Sequence, residues 1–169
     1  TRSLIVTGVQ TCALPIFFTA IAAPEVQNKL NGDFAIIAGP YLQNLATGGC
    51  ELDYTLTFVS EKFISMVFFG VLDEGEKEIF AKIPLNIDVQ TGAQLALGDV
   101  LNLRDADLLP VLRLLTKKDK VDFSKGIPES WYYNGTNFVF CQRSETGEWL
   151  EATVAASDLK KFLLKPELF

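Results

Sequence analysis

The sequence predicts an α+β domain in which helices pack on a single antiparallel sheet. Three observations lead to this prediction. Apolar residues near the start recur every three or four positions, the middle of the chain alternates apolar and polar residues, and an Asn-Gly pair near the end joins two aromatic-rich segments. The first pattern is helical, the second is typical of half-buried strands, and the third is a strong hairpin signal.

The first 16 residues are predicted not to belong to this domain. Val6–Ile16 (VTGVQTCALPI) resembles the frame-one translation of a common short-read sequencing adapter, and Thr1–Ile5 would then be adjoining non-native sequence. Foreign segments have to be excluded before a fold is considered. We therefore expect one native domain over residues 17–169, whose natural N-terminus has been replaced.

The native part opens with a predicted helix over residues 24–45. Its apolar stripe consists of Val26, Leu30, Phe34, Ile37, Tyr41 and Leu45. Pro24 suits a first helical turn. Gly39-Pro40 is expected to kink the helix or end it near Ala38, because proline lacks the amide hydrogen that the helix needs.

Three strands are predicted to follow the helix as an antiparallel meander. The first, Glu51–Phe58, has an apolar face made of Leu52, Tyr54, Leu56 and Phe58. The second, Phe63–Leu72, is apolar on both faces and should therefore be central. The third, Ile79–Val89, directs its apolar side chains to one face: Ile79, Ala81, Ile83, Leu85, Ile87 and Val89. The charged run Asp73–Glu78 is the predicted turn between the second and third strands.

Helical signals return in the second half of the chain. Thr91-Gly92 is a predicted turn, after which Leu95–Leu101 leads into a helical stretch. Asp105 or Asp107 is then a candidate N-cap for a helix whose apolar residues are Leu108, Leu109, Val111, Leu112 and Leu115, with Pro110 in its first turn. Ser157–Leu163 is predicted to be a short capped helix that ends before Pro166.

A hairpin is predicted around Asn134-Gly135. Trp131–Tyr133 and Phe138–Phe140 flank the turn, and Trp149–Ala155 is a further strand. Asn134 also begins a glycosylation sequon, which the turn explains more simply. The aromatic triplet either sends alternate rings into the core, which the strand pattern favours, or presents an aromatic surface to a sugar or a protein.

These elements form one predicted domain, with the opening helix over residues 24–45 and the sheet and helices over residues 50–165. Its core is expected to contain the apolar positions of the strongest patterns, because those positions face inward in every register that satisfies the periodicity. They are Phe63, Val67, Ile83, Leu85, Ile87, Leu112, Phe138, Phe140, Val154 and Phe162.

The sequence contains no histidine. This removes the commonest general base, the catalytic triads that depend on it, and the usual zinc ligand sets. Neither a C-x-x-C pair nor a glycine-rich phosphate loop is present. We therefore predict no enzymatic activity, no catalytic residue, no metal site and no cofactor, and the sequence alone identifies no ligand-binding residue.

The acidic residues have structural explanations. One cluster is a predicted solvated hairpin tip, because the spacing of a calcium loop is absent, and it consists of Asp73, Glu74, Glu76 and Glu78. Three further aspartates are better explained as helix caps than as a carboxylate site, and these are Asp99, Asp105 and Asp107.

Two cysteines belong to the native part, because Cys12 lies in the adapter-like segment. Cys50 and Cys141 are interpreted as two buried thiols in preference to a disulfide, although a disulfide stays open if the domain is exported. The native part is also acidic. Of the 15 Lys and Arg residues only Arg2 precedes residue 17, which leaves 14 against 21 Asp and Glu, a net charge near −7. Such a balance disfavours nucleic acid as a partner.

From Tyr54 onward the order of elements resembles the RsiV-like anti-sigma factor family, the domain of unknown function 3298. The most specific stretch is Asn86–Leu101 (NIDVQTGAQLALGDVL), which is similar to the family's strand ending in Asp, a Thr-Gly turn and a Leu-x-Asp-Leu/Val element. Other segments resemble the neighbouring strands, the last helix and the helix that opens the adjoining family domain. They are Phe63–Val67, Phe138–Phe140, Ala152–Val154, Ser157–Leu163 and Glu25–Asn31.

The resemblance implies a non-enzymatic, extracytoplasmic domain that senses or binds a ligand at the bacterial cell envelope. The implied partner is a cationic protein such as lysozyme or a cell-wall component, and the membrane is reached only through an N-terminal anchor that is lost here. The same domain type accompanies some peptidoglycan polysaccharide deacetylases. An accessory domain of such an enzyme, whose catalytic part lies elsewhere, is therefore the alternative.

Two segments depart from the family pattern. Gly70–Glu74 follows the second strand, and Cys141–Glu148 follows the penultimate one. Both are candidate ligand-facing loops. Because they differ here, the resemblance carries over the fold and the location, and it carries over no lysozyme-contact residue. An acidic face would suit a cationic partner in either case.

Overall fold

The computed structural model of the 169-residue chain describes residues 5–7, 17–19, 24–44, 50–73 and 78–169. The strands are β1 (Ile5–Thr7), β2 (Phe17–Thr19), β3 (Cys50–Val59), β4 (Phe63–Asp73), β5 (Glu78–Asp88), β6 (Ala93–Gln94), β7 (Ser130–Tyr133), β8 (Asn137–Arg143) and β9 (Trp149–Ala155). The α-helices are α1 (Pro24–Asn44), α2 (Leu97–Val100) and α3 (Leu108–Leu115), and 3₁₀ turns cover Phe123–Lys125, Ala156–Phe162 and Pro166–Leu168. The predicted α+β class is confirmed.

The first main sheet has the order β3-β4-β5-β6 and is antiparallel throughout. As predicted, β4 lies between two neighbours, which explains why it is apolar on both faces. One face of this sheet carries alternate residues of β4 and β5 and packs on helix α1. This smaller core contains Leu30, Phe34, Ile64, Met66, Phe68, Leu85 and Ile87.

Strand β3 contains an irregularity that the sequence did not indicate. Tyr54 pairs with Phe68 and Leu56 with Met66, whereas Phe58 pairs with Ser65, so one extra residue is inserted after Leu56. A bulge of this kind moves the following residue to the other face. The prediction that Phe58 shares a face with Tyr54 is therefore wrong, since Tyr54 packs on the α1 side and Phe58 packs on the opposite side.

The second main sheet has the order β7-β8-β9. The predicted hairpin between β7 and β8 is confirmed, with Gly135 and Thr136 as its central residues. The amide of Asn134 donates to the carbonyl of Asn137 at 3.1 Å, and the Asn134 side chain accepts from the Thr136 and Asn137 amides at 3.2 and 2.8 Å. Gly135 has φ +92°, a conformation that favours glycine at the first central position. The turn thus accounts for the sequon-like triplet.

The strands form two main sheets and not the single sheet that was predicted. The edge strand of the second sheet, β7, packs against the first sheet. Among the described strands of the second sheet, β7 makes the principal contacts with β3, β4 and β5. Its free edge is satisfied by buried side chains instead of another strand. The Asn86 side-chain amide donates from Nδ2 to the Trp131 backbone carbonyl at 2.7 Å, and the Ser65 hydroxyl donates to Asn86 Oδ1 at 2.7 Å. Ser65 in turn accepts the Tyr133 amide hydrogen at 2.8 Å.

On one side of this junction lies the larger core. Phe63 of β4, the inward residues of the second sheet and helices α2 and α3 fill it together with the C-terminal 3₁₀ turns. The predicted core positions are buried, with the exception of Ile83, which is half-buried against the smaller core. The ring of Phe169 also enters this side, with its centroid 4.8 Å from that of Phe138 and 5.0 Å from that of Tyr133.

The helices confirm one predicted range and correct another. Helix α1 runs from Pro24 to Asn44, close to the predicted 24–45, and continues through Gly39-Pro40, so of the two predicted alternatives an end near Ala38 is wrong. A proline inside a helix removes one backbone hydrogen bond, at a cost of about 3 kcal/mol. This loss can bend a helix without ending it. The predicted capped helix at Ser157 is instead a 3₁₀ segment that begins at Ala156 and lacks a side-chain cap. Tight i to i+3 bonding is common in such short pieces.

The centre of the predicted turn Asp73–Glu78, residues 74–77, lies outside the described residues. Of the adapter-like segment, residues 5–7 are described, and they pair in antiparallel fashion with Phe17–Thr19. Within the described part of the chain, no helix has the length and apolar character needed to cross a membrane.

Candidate functional site

The side of the junction away from the larger core is a corner between the two sheets. Cross-strand register places Phe69 and Lys82 opposite each other on the first sheet, with Phe80 on the same face. The facing residues of the second sheet also follow from register, because Tyr132, Cys141, Trp149 and Glu151 alternate with the inward core residues. We call these residues the junction corner: Phe69, Phe80, Lys82, Tyr132, Cys141, Trp149 and Glu151.

Glu151 is the centre of the polar contacts in the junction corner. Its Oε1 atom pairs with the Lys82 ammonium, accepts the Tyr132 hydroxyl at 3.0 Å and lies 3.8 Å from the Cys141 sulfur. The Lys82 side chain is only 11% exposed. Its Nζ lies 5.7 Å from the centroid of Phe69 and 5.3 Å from that of Tyr132, within range of a cation–π interaction. This cluster ties β5 to the second sheet.

Two groups in this corner, the Cys141 thiol and the Tyr132 hydroxyl, are held in their neutral forms. Burial raises the pKa of the Cys141 thiol to about 12, with the Glu151 carboxylate adding to the effect and the Lys82 ammonium opposing it. Burial, followed by Glu151, also raises the pKa of Tyr132 well above that of a free tyrosine. A thiol that stays protonated at neutral pH is a poor nucleophile. Cys141 is a free, buried thiol, as the favoured interpretation predicted.

The outer part of the corner exposes aromatic surface. Phe69 is 42% exposed and Phe80 is 56% exposed, although both belong to long paired strands. The indole nitrogen of Trp149 donates to the Phe80 carbonyl at 3.2 Å, which fixes the end of β9 against β5. Exposed aromatic side chains on a rigid strand are typical of recognition surfaces, because they bury a large area at a small entropic cost.

The fold brings the two departures from the family pattern to this corner. Phe69 directly precedes Gly70–Glu74, and Trp149 directly follows Cys141–Glu148. Val71 pairs with Phe80, whose carbonyl accepts the Trp149 indole hydrogen. Phe80 and Trp149, 69 positions apart in the sequence, therefore meet at one surface, and each lies next to one of these segments. This juxtaposition is the main structural reason to regard the corner as a functional site.

A cavity of about 330 Å³ adjoins the corner behind Trp149. It is lined by the Lys125–Ser130 segment, by residues 141–143 of β8 and by Trp149. The wall is anchored from two sides. Arg113 donates to the Phe123 carbonyl at 3.0 Å from one terminal nitrogen, and the Asp122 amide donates to the Gln142 side chain at 2.8 Å. The hydrogen bond between the Asp122 carboxyl and Ser124 lowers the pKa of Asp122.

The carboxylates that the sequence singled out are dispersed. Asp99 accepts the Ala96 amide at 2.8 Å and caps α2, as predicted. Asp105 accepts the Asp107 amide at 2.9 Å, in the turn before α3. Asp107 occupies the N-cap position of α3 but does not cap it, because its own backbone is already helical and its carboxylate lies 3.2 Å from the Lys161 ammonium. Within the described ranges no cluster of side chains could hold a metal ion.

Sequence reasoning missed Phe69, Phe80, Lys82 and Glu151. The aromatic triplet gave a partial signal, since alternation correctly places Trp131 and Tyr133 in the core and leaves Tyr132 half-exposed. A phenylalanine at Phe80, next to Ile79 and outside the alternating apolar face, was the available hint. The pairing of Lys82 with Glu151 gave no such hint because 69 positions separate them.

No protein-family model matches the chain, and no curated protein matches it. Solved structures do show the same fold. The crystal structure of a DUF3298 family member from Bacteroides fragilis is similar with a TM-score of 0.63 and 12% identity, over 88% of this chain and 82% of that one. A DUF3298 family protein from Pseudomonas aeruginosa gives a TM-score of 0.61 and 12% identity over 99% and 96%. At this identity the similarity establishes the fold alone, which agrees with the resemblance seen in the sequence.

Proposed function

We propose that this chain is a non-enzymatic, extracytoplasmic binding domain of the RsiV-like type that takes its ligand at the junction corner. The observation that carries the proposal is the contact of Trp149 with β5 beside the exposed rings of Phe69 and Phe80, next to the two segments in which this chain departs from the resembled pattern. Binding residues are disproportionately found in surface segments that a rigid scaffold positions. The extracytoplasmic location and the sensing role rest on the resemblance of the sequence to that family.

The chemistry of the corner favours binding over catalysis. The Cys141 thiol and the Tyr132 hydroxyl have raised pKa values, so neither is activated as a nucleophile at neutral pH. Glu151 is engaged by Lys82 and Tyr132 and contributes to rigidity. Fixed side chains around exposed rings form a preorganised surface, which lowers the entropic cost of binding.

The partner that we propose first is a cationic protein such as lysozyme. The sequence just before Phe80 is acidic, with Asp73, Glu74, Glu76 and Glu78 and a single lysine, Lys77. At the other end of the corner Glu148 is exposed and Glu151 retains a partly exposed carboxylate. Acidic groups beside an aromatic patch complement a basic partner and steer its approach.

The test uses the full chain with hen-type lysozyme at low and at high salt. We expect association that slows as salt rises, because charges across the interface are screened over about 8 Å at physiological ionic strength. The same preparation is incubated with peptidoglycan and with acetylated chitooligosaccharide. Turnover of either substrate, abolished by changing a single carboxylate, would contradict the non-enzymatic assignment, and absence of binding to both lysozyme and cell-wall fragments would contradict the binding role.

A further inference from the structure

We infer that the cavity behind Trp149 is a saccharide site that accepts a sugar ring bearing one carboxylate, such as a uronic acid unit of an envelope polysaccharide. The inference rests on the proposed function for the setting in which the ligand is met, and it adds a second ligand class beside the protein partner. Four features of the cavity lead to it, namely its preformed wall, its charge, its available donors and its flat aromatic side.

The cavity is an open depression whose wall is held by hydrogen bonds within the protein. Its volume of about 330 Å³ is at the lower end of the range of ligand sites, roughly 300–1,000 Å³, and fits a ligand of one or two rings. The Lys125–Ser130 wall follows directly on Ser124, whose amide donates to the Asp122 carboxylate at 2.8 Å. Arg113 holds the preceding carbonyls, so the wall does not have to be ordered by the ligand.

The charge of the lining is opposite in sign to that of the protein. Lys125 and Arg143 provide two positive charges and Glu129 provides one negative charge, so the lining carries +1 in a chain of formal net charge −6. A single excess positive charge suits a monoanion. It suits a nucleoside diphosphate or triphosphate poorly, because Glu129 would repel the additional negative charges.

Arg143 and Lys125 keep hydrogen-bond donors that can bind a carboxylate of the ligand. Arg143 uses its Nε to donate to the Gly147 carbonyl at 3.3 Å, while its two terminal nitrogens donate to no other described residue. A guanidinium with both terminal nitrogens available binds a carboxylate in bidentate fashion. Lys125 lies 3.9 Å from Glu145 in a highly exposed pair, which is weak enough to exchange partners.

The remaining lining matches a sugar ring. The indole of Trp149 is held by its bond to the Phe80 carbonyl and offers a flat apolar surface, on which the C–H face of a pyranose can stack. Ser130, Gln142 and Glu129 add donors and acceptors for ring hydroxyls at the same cavity. Stacking, hydroxyl recognition and a carboxylate clamp together specify an acidic saccharide.

The probe is a tetrasaccharide that alternates glucuronic acid with N-acetylglucosamine, compared with the neutral tetramer of N-acetylglucosamine. Binding to the full chain is measured by calorimetry and by tryptophan fluorescence. We expect saturable binding of the acidic probe, at least tenfold tighter than that of the neutral one, with a fluorescence change that disappears in Trp149→Phe. Arg143→Gln should weaken binding at least tenfold, whereas Arg104→Gln, an exposed arginine that does not line the cavity, should leave it unchanged.

Thermal unfolding of each variant establishes that it is folded. Equal affinity for the two probes, equal losses in the two arginine variants, or no saturable binding would overturn the inference. Phe80→Ser separates this site from the protein surface, because it should weaken lysozyme binding and spare the acidic tetrasaccharide. Lysozyme binding that is lost in Arg143→Gln, without saccharide binding, would assign the cavity to the protein partner and also overturn the inference.

Discussion

Asn86 lies where the two sheets are joined by side-chain hydrogen bonds and not by strand pairing. It is buried, donates to the Trp131 carbonyl and accepts from Ser65, which itself accepts the Tyr133 amide hydrogen. A buried carbonyl that loses its donor costs about 1–3 kcal/mol. Nothing in the sequence distinguishes Asn86 from a polar residue on a solvated face, because its partner carbonyl is 45 residues away.

Asn86→Ala is expected to lower the free energy of unfolding by about 1–3 kcal/mol, measured by urea denaturation. The matched control is Asn28→Ala on the exposed side of α1, where a change within about 0.5 kcal/mol is expected. Equal stability of Asn86→Ala and wild type would mean that the free edge of β7 does not need this side chain.

The protonation of Cys141 makes the free energy of unfolding depend on pH. Its folded-state pKa of about 12 lies above that of an unfolded thiol, roughly 8.5, so the folded state retains the proton longer. The resulting stability is fully present below the unfolded pKa and is lost as pH rises towards the folded value. Unfolding free energy should therefore fall between about pH 9 and 11, and less steeply in Cys141→Ala.

A mass-spectrometric readout should show slow alkylation of Cys141 at pH 7.5, and alkylation as fast as in urea would contradict its burial.

At the scale of elements, the Thr91-Gly92 turn shows how much a short motif can specify. Gly92 has φ +66°, and a Cβ added there would lie 3.0 Å from Cγ1 of Val26. The Gly92 carbonyl also accepts from the Lys29 ammonium at 2.7 Å, so the turn is attached to α1. The sequence predicted this turn from Thr-Gly alone, whereas its packing on a helix more than 60 residues away could not be predicted.

Gly92→Ala is expected to destabilise the protein by about 1–2 kcal/mol, because the residue combines a left-handed conformation with a close contact. Gly32→Ala is the control, since nothing lies within 4 Å of its added Cβ and the site is an exposed position of α1. That change should raise stability by up to about 1 kcal/mol through helix propensity. A Gly92 variant as stable as wild type would show that the turn tolerates a side chain.

The remaining elements divide according to the forces that determine them. Apolar patterns and turn signals located β4, β5, β8 and β9 correctly, because each of these strands buries one or both faces. The bulge at Phe58 was missed, since it depends on tertiary packing that outweighs the local alternation. The same limitation explains the junction corner, which is assembled from segments that look unrelated in the sequence.

For the whole molecule, the α+β class was predictable from periodicity, and the division into two sheets was not. A single sheet would require β7 to pair with a strand of the first sheet, but Ser65 and Asn86 take that place. The candidate site lies in the corner created by this division. Knowledge of the elements without their mutual arrangement therefore could not reveal it.

The adapter interpretation of residues 1–16 leads to a prediction for the whole chain. Sequence that was not selected with this core should contribute little to its stability, even though residues 5–7 pair with β2. Deletion of residues 1–16 is expected to change the free energy of unfolding by less than about 1 kcal/mol, the size of a typical damaging substitution. A larger loss in urea denaturation would mean that the segment packs on the domain.

The central claim is that the junction corner is the recognition surface, and the most direct test is the lysozyme affinity of three forms of the full chain at one low ionic strength. These are wild type, Phe80→Ser in the corner and Leu114→Ser on α3, where the leucine is 73% exposed. We expect wild type and Leu114→Ser to bind alike and Phe80→Ser to bind at least tenfold more weakly, a loss of about 1.4 kcal/mol or more. Binding by wild type that Phe80→Ser leaves unchanged would place recognition elsewhere on the molecule and contradict the account.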